Sequence, residues 1–359
     1  MSDCNLNFLK IHYLLKIQMK KLTFPFIIFF FTLFSAFSSP DRNNNNRDQY
    51  EIATWKGFSQ AVINFTFDDG CPNQFDVAIP MFDEYGFQLT IFLISNSVPE
   101  DKWEIIRQAV SKGHEMGSHT VSHPSLAELS VEDQREELSN SRKKIEENTG
   151  VKNCYTIAYP YCIHPDLELC SKYYIAGRDC RGEIEKTTPD SYYRISSIGC
   201  GDLSSYNTTE AFTDKMHEAA SLNGWCVFLL HGIDNDGGYS PVTSQLLKEC
   251  LDYLDKNRNK YWVTSLFNAV LYAKERDAAE ITEKENSENH ITIELTDNLD
   301  DSIYNHPLTI RRKMPDNWEN ISVRQRGMLS ESKVIIEDNK KYVIFDAIPD
   351  KGEIVLNRN

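Results

Sequence analysis

Positive charge is in short supply: 38 Lys and Arg stand against 53 Asp and Glu in 359 residues, a formal net charge of −15. Phosphate binding needs a concentrated basic surface, so this balance argues against a nucleic-acid partner. Cysteine is sparse too, nine in the chain, too few to build the fold on disulfides alone. Past residue 37 no apolar run approaches the roughly 20 residues that a bilayer crossing requires, so no transmembrane span is expected in the mature chain. No internal repeat is visible. What is present is ordinary globular material, 41% hydrophobic and 25% charged, which excludes wholesale disorder. Its length suits two domains.

The one long apolar stretch stands near the start. From Met19, Lys20 and Lys21 form a positive segment, residues 22–34 an apolar one, and Ala36-Phe37-Ser38 a small-x-small cleavage site. This is the layout of a secretory signal peptide. Thr23, Pro25 and Thr32 interrupt the run and make it a poor membrane anchor. Lys10 and Lys16 punctuate residues 1–18, which fit badly ahead of such a signal, so translation is expected to begin at Met19. Residues 1–38 are then a signal peptide with a misassigned start. The mature protein is expected to be exported, to a periplasm, the cell surface or the medium. Cys4 would be lost, leaving Cys71, Cys154, Cys162, Cys170, Cys180, Cys200, Cys226 and Cys250 in an oxidising compartment with their pairing open.

Residues 39–54, polar and Asn-rich, read as a flexible leader. Beyond them short apolar runs alternate with amphipathic stretches. Strands are expected at 61–65, 89–94, 156–159, 226–230 and 262–264, and helices at 103–112 and 244–256. The clearest helix follows Ser130 as N-cap, carries Val131, Leu138 and Ile145 on one stripe, and stops at Gly150. Strands alternating with helices imply a parallel α/β sheet, open or closed into a barrel, over residues 55–276. The charged segment 277–288 reads as a linker. Alternating apolar residues from 289 to 359 suggest a small all-β domain.

Four segments carry possible chemistry. Asp68-Asp69-Gly70 follows the first strand, and strand C-terminal ends are where α/β folds place reactive groups. Alone, two adjacent carboxylates are an ordinary solvated turn. His119 and His123 are spaced i, i+4, which on a helix lets both grip one metal ion. Nine histidines give roughly 0.2 such pairs by chance. His114 falls off that face and reads as a core or surface histidine. Tyr159-Pro160-Tyr161-Cys162 ends a strand, as does Leu229-Leu230-His231; each has a sufficient structural reading by itself. Asp234 to Gly238 reads as a polar turn rather than a calcium loop.

Taken in order, Thr66-Phe67-Asp68-Asp69-Gly70, His119-Thr120-Val121-Ser122-His123, Pro160-Tyr161 and Leu229-Leu230-His231 resemble the polysaccharide deacetylase proteins of the NodB-homology type, carbohydrate esterase family 4. The resemblance covers roughly residues 55–275. It implies a distorted (β/α)7-type barrel, here followed by the small all-β C-terminal domain, and metal-dependent removal of acetyl groups from an acetylated oligo- or polysaccharide, N-acetyl ahead of O-acetyl. Carried over, Asp69, His119 and His123 correspond to the metal ligands, Asp68 to the general base and His231 to the general acid. The backbone N–H of Tyr161 corresponds to the oxyanion donor. One carboxylate and two imidazoles suit zinc, with cobalt or nickel possible.

Three departures stand out. The family's Arg at the start of the proline-tyrosine motif is Ala158 here, and Arg178 or Arg181 could supply the guanidinium from a neighbouring loop. The family's Asp/Trp segment behind the acid histidine has no counterpart. Cys71 and Cys162 flank the two active-site loops and could be bridged. Alternative readings are a related amidase on a non-sugar amide and a carbohydrate-binding pseudoenzyme, the latter prompted by Ala158.

Overall fold

The computed structural model describes residues 49–359. The signal segment, the start at Met19 and residues 39–48 of the expected leader lie outside them. The elements run β1 (Tyr50–Ile52), β2 (Ala61–Asp69), α1 (Ile79–Tyr85), β3 (Thr90–Leu93), α2 (Trp103–Ser111), β4 (Glu115–Ser118), α3 (Val131–Thr149), β5 (Thr156–Ala158), α4 (Leu167–Cys170), β6 (Ala176–Arg178) and β7 (Ile198–Gly199). They continue with α5 (Thr209–Ser221), β8 (Trp225–Leu230), α6 (Ser244–Asp255), β9 (Tyr261–Val263) and α7 (Leu266–Ala278). Then come β10 (Glu280–Asn286), β11 (His290–Thr296), β12 (Leu308–Lys313), β13 (Ile321–Gln325), β14 (Met328–Ser330), β15 (Ser332–Glu337), β16 (Lys340–Ala347) and β17 (Ile354–Arg358).

The first half is a curled, wholly parallel sheet in the order β6-β5-β4-β3-β2-β8-β7. β2 is its spine. Buried through its first eight residues, it turns Ala61, Ile63, Phe65 and Phe67 to one face and Val62, Asn64, Thr66 and Asp68 to the other, where Asn64 Nδ2 donates to Thr264 O and Thr66 Oγ1 to Phe228 O, both at 2.7 Å. β8 pairs along one edge, while β3 and the short β9 share the other, β3 at Thr66–Asp69 and β9 at Ala61–Ile63. The barrel closes through a bridge between Arg178 and Ile195, just ahead of β7. Parallel strands bring Asp69, Ser118, Ala158, Arg178 and Leu230 to one end of this barrel.

Helix α3 has the expected caps: Ser130 Oγ accepts from Asp133 N at 3.2 Å, and Gly150 ends the helix at φ 78°. Its stripe is corrected, since Leu138 and Ile145 are buried but Val131 is 55% exposed. At the opposite end of the barrel Glu115 is fully buried and takes hydrogen bonds from Thr90 Oγ1 (2.7 Å), Phe267 N (2.8 Å) and Thr156 Oγ1. It thereby ties β3, β4 and β5 to the first turn of α7, where the helix dipole favours an acceptor.

The second half is two antiparallel sheets, β1-β12-β16-β15 and β10-β11-β17-β13-β14, around a core that includes Ile293, Ile310, Trp318, Val343, Phe345 and Leu356. Two expectations are corrected. The leader ends in a strand, because Tyr50–Ile52 pairs with Arg312–Ile310. The supposed linker is β10, a hairpin partner of β11 whose outer face needs no apolar residues and whose Glu283 pairs with buried Arg312 at 3.1 Å. The halves are stitched together: Ala53 N donates to Thr309 O (2.8 Å), Gly57 N to Thr309 Oγ1 (2.9 Å), and Tyr272 Oη to Ala53 O (2.9 Å). Glu275 of α7 accepts from His306 N through both oxygens, at 3.1 and 2.9 Å.

Burial pushes the Glu275 carboxyl up to about 8 and the neighbouring His306 imidazole down to about 4. A carboxyl raised on folding favours the folded state while protonated, so its contribution is complete below the unfolded value near 4.5 and is lost as pH rises through about 8. The slope is at most about 1.4 kcal/mol per pH unit. Thermal melts of wild type and Glu275→Gln from pH 5 to pH 9 check this: the gap between them moves in the variant's favour as pH rises, and a constant gap refutes it.

Candidate metal and acid–base site

β2 delivers two carboxylates with opposite surroundings. Asp68 is 2% exposed, while Asp69 (φ 77°) and Gly70 (φ 73°) swing the chain over the barrel mouth. A Cβ at Gly70 would lie 3.1 Å from Leu93, so that position wants glycine for space as well as for its φ. His119 and His123 do not share a helical face. They sit on a loop after β4 with Thr120 at φ 67° and His123 at φ 64°. Glu137 of α3 fixes that loop, accepting from Val121 N (2.7 Å), Ser122 N (3.0 Å) and Ser122 Oγ (2.6 Å). The two imidazoles converge through loop geometry where the spacing suggested a helix.

His119 Nε2 and His123 Nε2 lie 3.5 and 3.7 Å from Asp69 Oδ1, and one potential ligand atom from each of the three residues falls within 4.8 Å of the others. His119 Nδ1 is 2.8 Å from Ala158 O; a carbonyl only accepts, so Nδ1 carries the proton and Nε2 keeps its lone pair. Burial pushes the His119 pKa down against the opposing pull of Asp68 and Asp69, which favours the neutral ring that ligation needs. Asp69 Oδ1 is buried and has no hydrogen-bond partner. An orphaned carboxylate oxygen facing two imidazole nitrogens fits a divalent cation of the zinc type.

Asp68 belongs to a different set of contacts. Its Oδ2 accepts from Arg178 Nη2 at 2.6 Å, and His119 Nε2 and His231 Nε2 lie 3.8 and 4.0 Å from the same oxygen. Burial works against its charge, but the Arg178 guanidinium, with His119 and His231, prevails and holds the carboxyl below the usual carboxylate range. The missing arginine is thus present, on the next strand. Arg178 is the register partner of Ala158 across the β5–β6 pair, so a guanidinium arrives where β5 offers only a methyl. It is 1% exposed, 5.4 Å from the Phe92 ring centre, and donates to Ser197 Oγ at 3.3 Å. Arg181 is engaged elsewhere, with Asp179 (3.4 Å) and Glu185 (2.9 Å).

His231 follows β8, and its ring meets Tyr239 edge-on at 5.2 Å. Its Nδ1 is buried without a partner, in keeping with the missing Asp/Trp segment. Sequence reasoning overlooked Gln74, whose Nε2 donates to both Asp68 O and His231 O (2.9 Å) and so straps the ends of β2 and β8 together. No motif marks it. Tyr161 stands at φ 56°, 65% exposed, with its ring 4.7 Å from that of His123. His114 lies apart, buried between Asp83 (3.1 Å) and Leu89 N (3.2 Å).

The expected Cys71–Cys162 bridge is not formed. Cys162 pairs with Cys180, while Cys71 is free, packed toward Gly238, with its thiol pushed up to about 12 by burial and by Asp69. The carboxylates of the 234–238 turn serve as backbone acceptors, Asp234 for Ser244 N (2.9 Å) and Asp236 for Gly238 N (2.9 Å).

Residues 56–169 match the family model described as polysaccharide deacetylase. Among curated relatives, a gellan lyase of a Bacillus species is 28% identical over 328 residues, 85% of this chain and 13% of that protein. The polysaccharide deacetylase-named protein YxkH of Bacillus subtilis is 30% identical over 105 residues, 28% of this chain and 37% of that one. The chain therefore spans well under half the length of either relative. A solved structure of the peptidoglycan deacetylase PdaC from Bacillus subtilis superposes with a TM-score of 0.43 at 20% identity, covering 60% of this chain and 92% of that one.

Removing one partner of a buried ion pair typically costs about 3–5 kcal/mol. Arg178→Ala is expected to lose stability on that scale in denaturant unfolding at neutral pH, with Arg178→Lys in between. A loss below ~1 kcal/mol for the alanine variant would mean that Arg178 is not the cation holding Asp68 ionised.

Proposed function

We propose that this chain, a member of the polysaccharide deacetylase family through residues 56–169, is a divalent-metal-dependent hydrolase that removes acetyl from a carbohydrate, from N-acetylated amino sugars ahead of O-acetyl esters. The observation that carries the reading is the adjacency of two sets of contacts: an Asp69–His119–His123 cluster with an unpartnered carboxylate oxygen, and an Asp68 held by Arg178 and faced by His231. A divalent ion held by the cluster, zinc in the first instance, would supply Lewis acidity toward the acetyl carbonyl and toward water.

The protein's own groups do the rest. Asp68, kept anionic by Arg178, accepts the proton of the attacking water. His231, with Nε2 4.0 Å from Asp68 Oδ2, donates a proton to the departing amine of the sugar. The N–H of Tyr161 donates to the oxygen that gains charge as the carbonyl becomes tetrahedral. The exposed rings of Tyr161 and Tyr239 flank His123 and His231, and such surfaces suit the apolar faces of a sugar. Export is part of the proposal and is supported by the Cys162–Cys180 bridge, a bond that oxidising compartments maintain.

Acetate release from acetylated chitin, peptidoglycan and xylan fragments, with a formamide and a cyclic imide for comparison, tests the reading. Zinc-loaded protein is expected to release acetate from an N-acetylated fragment, and Asp68→Asn to lower kcat by about 10²–10⁴-fold. Glycan binding without acetate release by wild type would leave a binding protein instead.

Metal removal gives a second check. Dialysis against a chelator is expected to abolish turnover, and zinc, cobalt or nickel to restore it. Full activity in the chelated protein would overturn the mechanism.

A further inference from the structure

We propose that the Cys162–Cys180 disulfide is a positioning element of this site, fixing the Tyr161 turn to the strand that supplies Arg178. The proposal rests on the deacetylase reading for its catalytic consequence, and on the geometry alone for its mechanical one.

The turn after β5 is poorly held by anything else. Tyr161 and Cys162 are consecutive non-glycine residues in the left-handed region, at φ 56° and 60°. Such backbone persists only where the surroundings over-determine it. The hydrogen bonds of the segment are local: Cys162 N to Tyr159 O (3.0 Å), Ile163 N to Pro160 O (3.1 Å), and His164 Nδ1 with Pro165 O (2.9 Å). The next non-local anchors are Tyr159 before it, with N on Arg178 O (3.4 Å) and Oη on Tyr193 O (3.0 Å), and Asp166 N on Gln134 Oε1 (2.9 Å) after it. Between them, among the described residues, the disulfide is the one covalent or hydrogen-bonded attachment to distant chain.

Its other end is firm. Cys180 follows Arg178 by two residues, and Asp179 N bonds Ile195 O at 2.7 Å in the bridge that closes the barrel. Ala158 and Arg178 face each other in register, so the bond closes a short ring over the tops of β5 and β6. That ring contains the Ala158 carbonyl that orients His119, the Tyr161 N–H and the guanidinium on Asp68. With its arginine on β6 rather than on β5, the site depends on the spacing between two strands, and the disulfide sets that spacing at their ends.

The test opens the bond in the folded protein. A water-soluble trialkylphosphine and one water convert the disulfide into two thiols, the phosphine leaving as its oxide. The Cys162→Ser/Cys180→Ser variant removes the bond permanently. Amide exchange over residues 161–164 is expected to quicken at least about tenfold in both, with β12 and β16 unchanged. On the substrate that wild type turns over, kcat is expected to fall about 10- to 100-fold with KM and zinc affinity nearly constant. Re-oxidation is expected to restore wild type and not the double-serine variant.

Loss of a merely stabilising bond would lower the melting temperature and leave kcat at 25 °C unchanged, which overturns the proposal, as does unchanged exchange with the bond shown open by thiol titration. If oxidised wild type releases no acetate from any fragment, the deacetylase reading fails, and the exchange measurement alone decides whether the bond holds the turn.

Discussion

The ion pair between Arg178 and Asp68 is the constraint around which the barrel mouth is arranged. A carboxylate sealed from water is costly, and a single well-aligned guanidinium at 2.6 Å makes it tolerable. Because that cation comes from β6, the sheet must curl far enough for its edge strand to reach its central one. The bridge from Arg178 to Ile195 completes the curl, and Ser197 and the Phe92 ring hold the guanidinium in place. A buried charge is thus both a chemical resource and a reason for the barrel to close.

Around that pair the backbone is bent out of its ordinary wells. Asp69, Thr120, His123, Tyr161 and Cys162 all have positive φ, each without the freedom of glycine. Strain of this kind costs roughly 1–3 kcal/mol per residue and gathers where side chains must point at one spot from several strand ends. The rigid parts supply the compensation: Glu137 of α3 clamps the histidine loop, Gln74 straps β2 to β8, and Glu115 stitches the far end of the barrel.

The sequence was most legible where local signals were dense. The buried, apolar-rich β2, β3 and β8 and the capped α3 stood within a residue or a few of their expected places, because short apolar runs and paired caps leave local marks. β6 left none: Ala176-Gly177-Arg178 has no apolar run, and Gly177 is there because Tyr159 fills the space that its Cβ would take. Since that strand carries the arginine, the least legible element held the residue whose absence from β5 was most conspicuous. The histidine spacing pointed to a pair that the fold does bring together, for a helical reason that the loop does not share. The Cys162–Cys180 pairing depends on which strands become neighbours, and spacing along the chain does not contain that.

Strand β1 carries one more consequence. It is the first described element to be synthesised, and its partner β12 follows roughly 260 residues later. At ordinary translation rates that is an interval on the order of tens of seconds. The barrel therefore has time to form with an unpaired strand at its entrance, and the sandwich can complete its four-stranded sheet only by returning to that strand. The chain is in this sense tied off like a parcel, its last turns of string passing under the first, so that the second half is finished only by returning to where the chain began.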